Sequence, residues 1–190
     1  HRAAVLAMLA LRRGRALAGA PALTTLSIAS RYKGPPDSGN GGYVCGLIAT
    51  TARADLVVRL LSPPPLDVPL TLAHEADGTW LLSSATAPIA RGTPARLDLE
   101  VPPPPQYVQA VWASQHYPGF REHAFPECFV CGPHRRRGDG LRIFPGMLES
   151  GIVAAPWLPP DSLDAGDGKV AAEFLWAALD CPGYFAVSGG

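Results

Sequence analysis

Two acidic side chains interrupt an otherwise apolar run. Glu173 and Asp180 lie in the segment Val170 to Asp180, which is built mainly of Ala, Leu, Phe and Trp. A carboxylate in apolar surroundings has a raised pKa and becomes able to accept a proton near neutrality. Glu173 equally suits the first turn of a helix, where negative charge is favourable. Asp180 stands just before Cys181-Pro182, near the expected helix end, where negative charge is disfavoured. A second small-residue run, 41–52, opens with Asn40-Gly41-Gly42. A helix N-terminus presents free N–H donors and partial positive charge to an anion, and glycine lets a ligand approach the backbone. Asn before Gly also serves as a plain turn or helix cap. Arg135, Arg136 and Arg137 form a run of guanidinium groups that suits a phosphate-bearing ligand, and equally a solvated loop.

The chain has four cysteines. His123, Cys128, Cys131 and His134 have the chemistry of four zinc ligands. They are crowded within twelve residues, whereas zinc sites more often join two separated knuckles. No thioredoxin-like pattern surrounds the C-x-x-C, so a redox pair is not indicated. The expectation is packing at the entry of a strand, with no metal and no cofactor of the protein's own. Cys45 and Cys181 sit in apolar runs and read as small core residues. No phosphate-binding loop, dinucleotide fingerprint, G-x-S-x-G or H-E-x-x-H is present.

Chemistry of this kind needs a scaffold, and the composition allows one. Of 190 residues, 47% are hydrophobic and 17% charged, enough for a packed core. Sixteen basic residues balance sixteen acidic ones, which argues against a general nucleic-acid partner. The apolar stretch 3–11 is too short to span a bilayer, which takes roughly 20 residues. Residues 1–22 read as an extension in loose helical form. No membrane partner and a cytoplasmic location are expected.

Prolines and glycines, 21 and 20 of them, punctuate the chain. The run 41–52 and the run 170–180 read as buried helices, the second stopping at Pro182-Gly183. The first is glycine-rich, which a helix tolerates when it packs closely and is buried nearly all round. Strands are expected over 26–32, 54–61, 68–75, 79–87, 95–101 and 151–157, with Asp77-Gly78 as a hairpin turn. Pro-Pro-Asp-Ser occurs at 35–38 and again at 159–162. Each copy follows a strand-like stretch and precedes a loop and a helix, so the chain reads as two related units. The boundaries are an extension 1–22, a first unit 23–106, a linker 107–124 and a second unit 125–190. The second unit has its helix but not its closing strands, and reads as C-terminally incomplete.

A strand, a Gly-rich loop, a buried small-residue helix and an antiparallel meander together resemble the α+β hot-dog fold. In that fold an antiparallel sheet wraps a central helix. Asn40-Gly41-Gly42 resembles the His-Gly-Gly helix start of hot-dog thioesterases. Cys128-Phe-Val-Cys131-Gly132 with Gly140-Leu141 resembles the opening strand of such domains, and Phe174 to Asp180 the Leu-x-Asp end of their central helix. The resemblance implies a double hot-dog protein of acyl-CoA thioesterase type. Its substrate would be a small or medium acyl group on coenzyme A or an acyl carrier, coenzyme A entering only as part of that substrate. Asp180 would act as base or nucleophile, with Glu173 as a second candidate acid. Asn40 would hydrogen-bond the thioester, standing where the family often has His, and unlike His it cannot take a proton. Gly41, Gly42 and Tyr43, with Arg135 and Arg136, would bind substrate, and a homo-oligomer is implied. The alternative is a non-catalytic acyl-CoA or lipid-binding module, or a small zinc-binding interaction domain.

Overall fold

The computed structural model describes residues 23–188; the extension read over 1–22 lies outside them. Five strands, β1 (Leu23–Leu26), β2 (Leu56–Leu60), β3 (Leu70–His74), β4 (Trp80–Ser83) and β5 (Pro88–Pro94), make one antiparallel sheet in the order β1-β3-β4-β5-β2. Side chains alternate between faces along a strand, and in β3 this buries Leu70 and Leu72 while Thr71 is exposed. The Asp77-Gly78 turn joins β3 to β4. Gly78 takes a positive φ of 83°, and the Asp77 carboxylate accepts from the Thr79 N–H at 2.9 Å.

Three expected strands shift. The last strand of the meander is β5, not residues 95–101, which form no regular element. Pro88 and Pro94 stand at the two ends of β5, in the gap between the strands expected over 79–87 and 95–101. Ile89 and Ala90 between them are buried. Of the stretch 26–32 only Leu26 belongs to β1, and Ser30–Tyr32 form a 3-10 turn. Of 151–157 only Val153–Ala154 are extended, as β7 paired with β6 (Gly146–Met147). The segment 107–124, read as a linker, holds helix α2 (Tyr107–Gln115). Its buried Ala113 packs on the Gly146 backbone.

Helix α1 (Gly41–Ala52) spans the run expected of it. Val44 and Ile48 enter the main core with Leu56, Leu72 and Leu82 of the sheet. Its other side meets helix α3 (Ala172–Ser188). The two run antiparallel: Gly42 of α1 lies against Trp176, Ala177 and Asp180, and Gly46 against Glu173 and Trp176. A Cβ at Gly42 would stand 2.5 Å from the Trp176 carbonyl oxygen, and one at Gly46 2.6 Å from the Glu173 Cα. Glycines four residues apart on one face thus let the backbones approach, which is why a sequence of poor helix propensity forms a buried helix here.

Helix α3 does not stop at Pro182. Proline inside a helix loses the bond to the carbonyl four residues back, here that of Ala178. The continuation is held by Phe185, whose ring packs 5.0 Å from Tyr117 in an edge-to-face pair. Asp180 is therefore within the helix and not at its C-terminal end.

The two halves share a local pattern. In each, a 3-10 turn leads into a loop closed by an isolated bridge, and then into a helix. Ser30, the Lys33–Gly39 bridge and Gly41 correspond to Asp161, the Asp164–Val170 bridge and Ala172, at a constant offset of 131 residues. The Pro-Pro-Asp-Ser copies do not fall in this register. The first lies inside its bridged loop, and the second reaches only the start of its 3-10 turn.

Candidate functional site

The site lies where the start of α1 meets the middle of α3. Asn40 is the N-cap of α1, and its side-chain oxygen accepts from the Tyr43 N–H at 2.9 Å. That satisfies one of the N–H groups a helix leaves without an internal partner. Its amide nitrogen donates to Asp180 Oδ2 at 3.1 Å. The Gly42 N–H donates to the same oxygen at 3.0 Å. Asp180 thus sits on the positive end of α1, although 140 residues separate it from Asn40. The Gly41 N–H has no partner among the described residues. A Cβ at Gly41 would lie 3.4 Å from Asp180 Oδ2 and 3.4 Å from Leu60 Cδ1, in ordinary contact with both. An open hollow of about 390 Å³ lies here, lined by Gly41, Gly39, Leu60 and the Pro63-Pro64 turn among others. That volume is at the lower end of ligand pockets, and the hollow is shallow and open to solvent.

Burial raises the Asp180 carboxyl above its usual range, while the Gly42 N–H and the Asn40 amide pull it down. Cys45, on α1, has its thiol pushed up to about 12 by burial and by the Asp180 charge.

The other sequence-predicted residues are placed elsewhere. Glu173 is seven residues before Asp180, about 10 Å along the helix axis. It lies at the far end of the helix pair, where Thr50 donates to it at 3.5 Å. Tyr43 is buried, with its ring stacked 4.2 Å from Tyr32 and close to Phe129 and Phe174. Burial holds its hydroxyl far above the ordinary tyrosine range. Arg135 is occupied within its own neighbourhood, donating to the Glu127 carbonyl at 2.8 Å, the Arg31 carbonyl at 2.8 Å and Asp139 at 3.0 Å. Arg136 is exposed. Neither arginine lines the hollow, nor does Tyr43.

The C-x-x-C does not open a strand. Residues 128–132 form a turn in which the Gly132 N–H donates to the Cys128 carbonyl at 3.0 Å. A Cβ at Gly132 would stand 2.5 Å from that carbonyl oxygen, so the turn requires glycine. The sulfurs of Cys128, Cys131 and Cys181 lie within 4.8 Å of one another, all buried. Cys128 Sγ is 3.8 Å from Cys181 Sγ, and His123 Nε2 is 3.3 Å from Cys131 Sγ. His134, the fourth of the group weighed from sequence, is exposed and outside this cluster. Cys181 takes a place there that its apolar surroundings in the sequence concealed. The Asn40 amide also reaches Cys128 Sγ, at 3.9 Å, so the two clusters touch.

No helix among the described residues is long and apolar enough to cross a membrane. No family model, no curated protein and no solved structure matches the chain, and the chemistry of the site is therefore read from its geometry.

Proposed function

We propose that the protein is a hot-dog-type hydrolase of acyl thioesters, acting on a small or medium acyl group carried by coenzyme A or an acyl carrier. The observation that carries this reading is the seating of Asp180 on the Asn40-Gly41-Gly42 helix start, with Gly41 opening on a hollow. The sheet with α1 packed on it is compatible with one hot-dog unit. The recurrent turn, bridge and helix support a second, related unit that supplies Asp180.

In this reading the thioester carbonyl oxygen accepts the Gly41 N–H, where the partial positive charge of the helix end favours the developing oxyanion. A water oxygen attacks the carbonyl carbon while Asp180 Oδ1 takes the water proton. The C=O electron pair moves onto oxygen to give a tetrahedral intermediate. Its collapse restores the carbonyl and breaks the C–S bond, and the sulfur leaves with the proton held by Asp180. The products are a carboxylic acid and a free thiol. Asn40 and Gly42 hold Oδ2, which keeps the carboxylate oriented and leaves Oδ1 without a donor among the described residues.

A second reading has its own support. Asp180 already occupies the Gly42 N–H, so only one backbone donor remains for a carbonyl. A site with one donor favours binding an acyl thioester without cleaving it. A panel of acyl-CoA esters assayed with the wild-type protein and with Asp180→Asn separates the two. Hydrolysis that falls about 10²- to 10⁴-fold in the variant supports the enzyme, since that is the usual contribution of a general base. Equal turnover in both proteins removes the role of Asp180, and saturable binding with no turnover supports the binding module.

A further inference from the structure

The sulfur cluster stands apart from the thioester reading and has a geometry of its own. Cys128 and Cys131 project from one tight turn, and Cys181 comes from α3, 53 residues away from Cys128. Two thiolates bound to one zinc at about 2.3 Å with tetrahedral angles have sulfurs about 3.8 Å apart. The Cys128–Cys181 separation is 3.8 Å. The Asn40 amide approaches the Cys128 sulfur at 3.9 Å. His123 lies beside the cluster: its Nδ1 accepts from the Phe125 N–H at 2.9 Å, so Nε2 carries the ring proton and donates to Cys131 Sγ at 3.3 Å.

From these contacts we infer that Cys128, Cys131 and Cys181 form a zinc site, supplying three thiolate ligands from two distant parts of the chain. Soft thiolates select zinc over the hard divalent cations. The ion clamps the 128–132 turn to α3 one residue from Asp180. Its place is to hold that helix against the Asn40 cap.

The test uses the full chain, purified without chelator and without affinity resins that carry metal. Total metal is measured by elemental mass spectrometry, and native mass spectrometry gives the number bound per chain. One zinc per chain is expected. It should be released stoichiometrically as a mercurial titrates the thiols. Cys131→Ser and Cys181→Ser are expected to lower zinc content or affinity by tenfold or more, and Cys45→Ser to leave it unchanged. The serine variants risk misfolding, so cobalt substitution of the wild-type protein supplies a second reading. Thiolate-to-cobalt charge transfer together with tetrahedral d–d bands supports three sulfur ligands. Absence of both bands overturns the site. So does a metal-free chain whose cluster cysteines are found as a disulfide, or zinc that Cys181→Ser retains in full.

Discussion

The contact between α1 and α3 can be tested with one methyl group. In Gly42→Ala the new Cβ would stand 2.5 Å from the Trp176 carbonyl oxygen, 2.6 Å from Asp180 Cβ and 3.0 Å from Ala177 Cα. Two of these atoms belong to the backbone of α3, and no side-chain rotation moves them. Relief to ordinary contact takes about 1 Å of separation between the helices, in a region packed to crystal-like density. Overpacking of this kind costs about 1–3 kcal/mol. Replacing helical glycine by alanine returns up to about 1 kcal/mol, leaving a net loss of about 1–2 kcal/mol. For a chain of this size each kcal/mol moves the melting temperature by about 2–4 °C, so Tm should fall by about 2–8 °C. Gly41→Ala is the control, because its Cβ would meet nothing closer than 3.4 Å. Its Tm should equal or slightly exceed that of the wild type. Thermal melts followed by circular dichroism, in matched buffer, read both. Equal Tm values for the two variants would refute the close approach at Gly42, and with it the apposition of Asp180 to the helix start.

Further outcomes follow from the same geometry. Gly41→Ala, although stable, should lose about tenfold to a hundredfold in kcat/KM for any thioester the protein cleaves, because the methyl group stands between Asp180 and the hollow. Unchanged kinetics would move the substrate elsewhere. Asn40→Ala removes the cap to Tyr43 and one donor to Asp180, and should cost about 1–2 kcal/mol in urea unfolding; a loss below about 0.3 kcal/mol contradicts the capping role. Arg135→Ala leaves two loop carbonyls without their donor and should cost about 2 kcal/mol. Arg136→Ala, at an exposed position, should stay within about 0.5 kcal/mol of wild type. Urea titrations of both check this, and an equal effect would contradict the assigned contacts.

Legibility in the sequence varied with the range of the signal. Helix α1 could be read to its ends because its signals are local: an Asn cap and a small-residue run. The Asp77-Gly78 hairpin was legible for the same reason. Strand β5 was not, because its prolines stand at both ends of a short buried core, and a breaker residue looks alike at an end and in a middle. The continuation of α3 past Pro182 was hidden as well, since it depends on Phe185 finding Tyr117, far away in sequence. Tyr43 and Arg135 had the right chemistry for a ligand but are engaged by Tyr32 and by loop carbonyls, respectively.

By itself, then, the sequence determined the α+β composition, the two small-residue helices, and the residue types able to act at Asn40-Gly41-Gly42 and Asp180. Capping, periodicity and turn chemistry are set by neighbours a few residues apart, and so they are written along the chain. Only the tertiary structure decided that Asp180 sits on the Gly42 N–H, that Glu173 does not, and that Cys181 completes a cluster with Cys128 and Cys131. Those outcomes rest on how closely α1 and α3 approach, which is a matter of steric fit between surfaces brought together from distant parts of the chain.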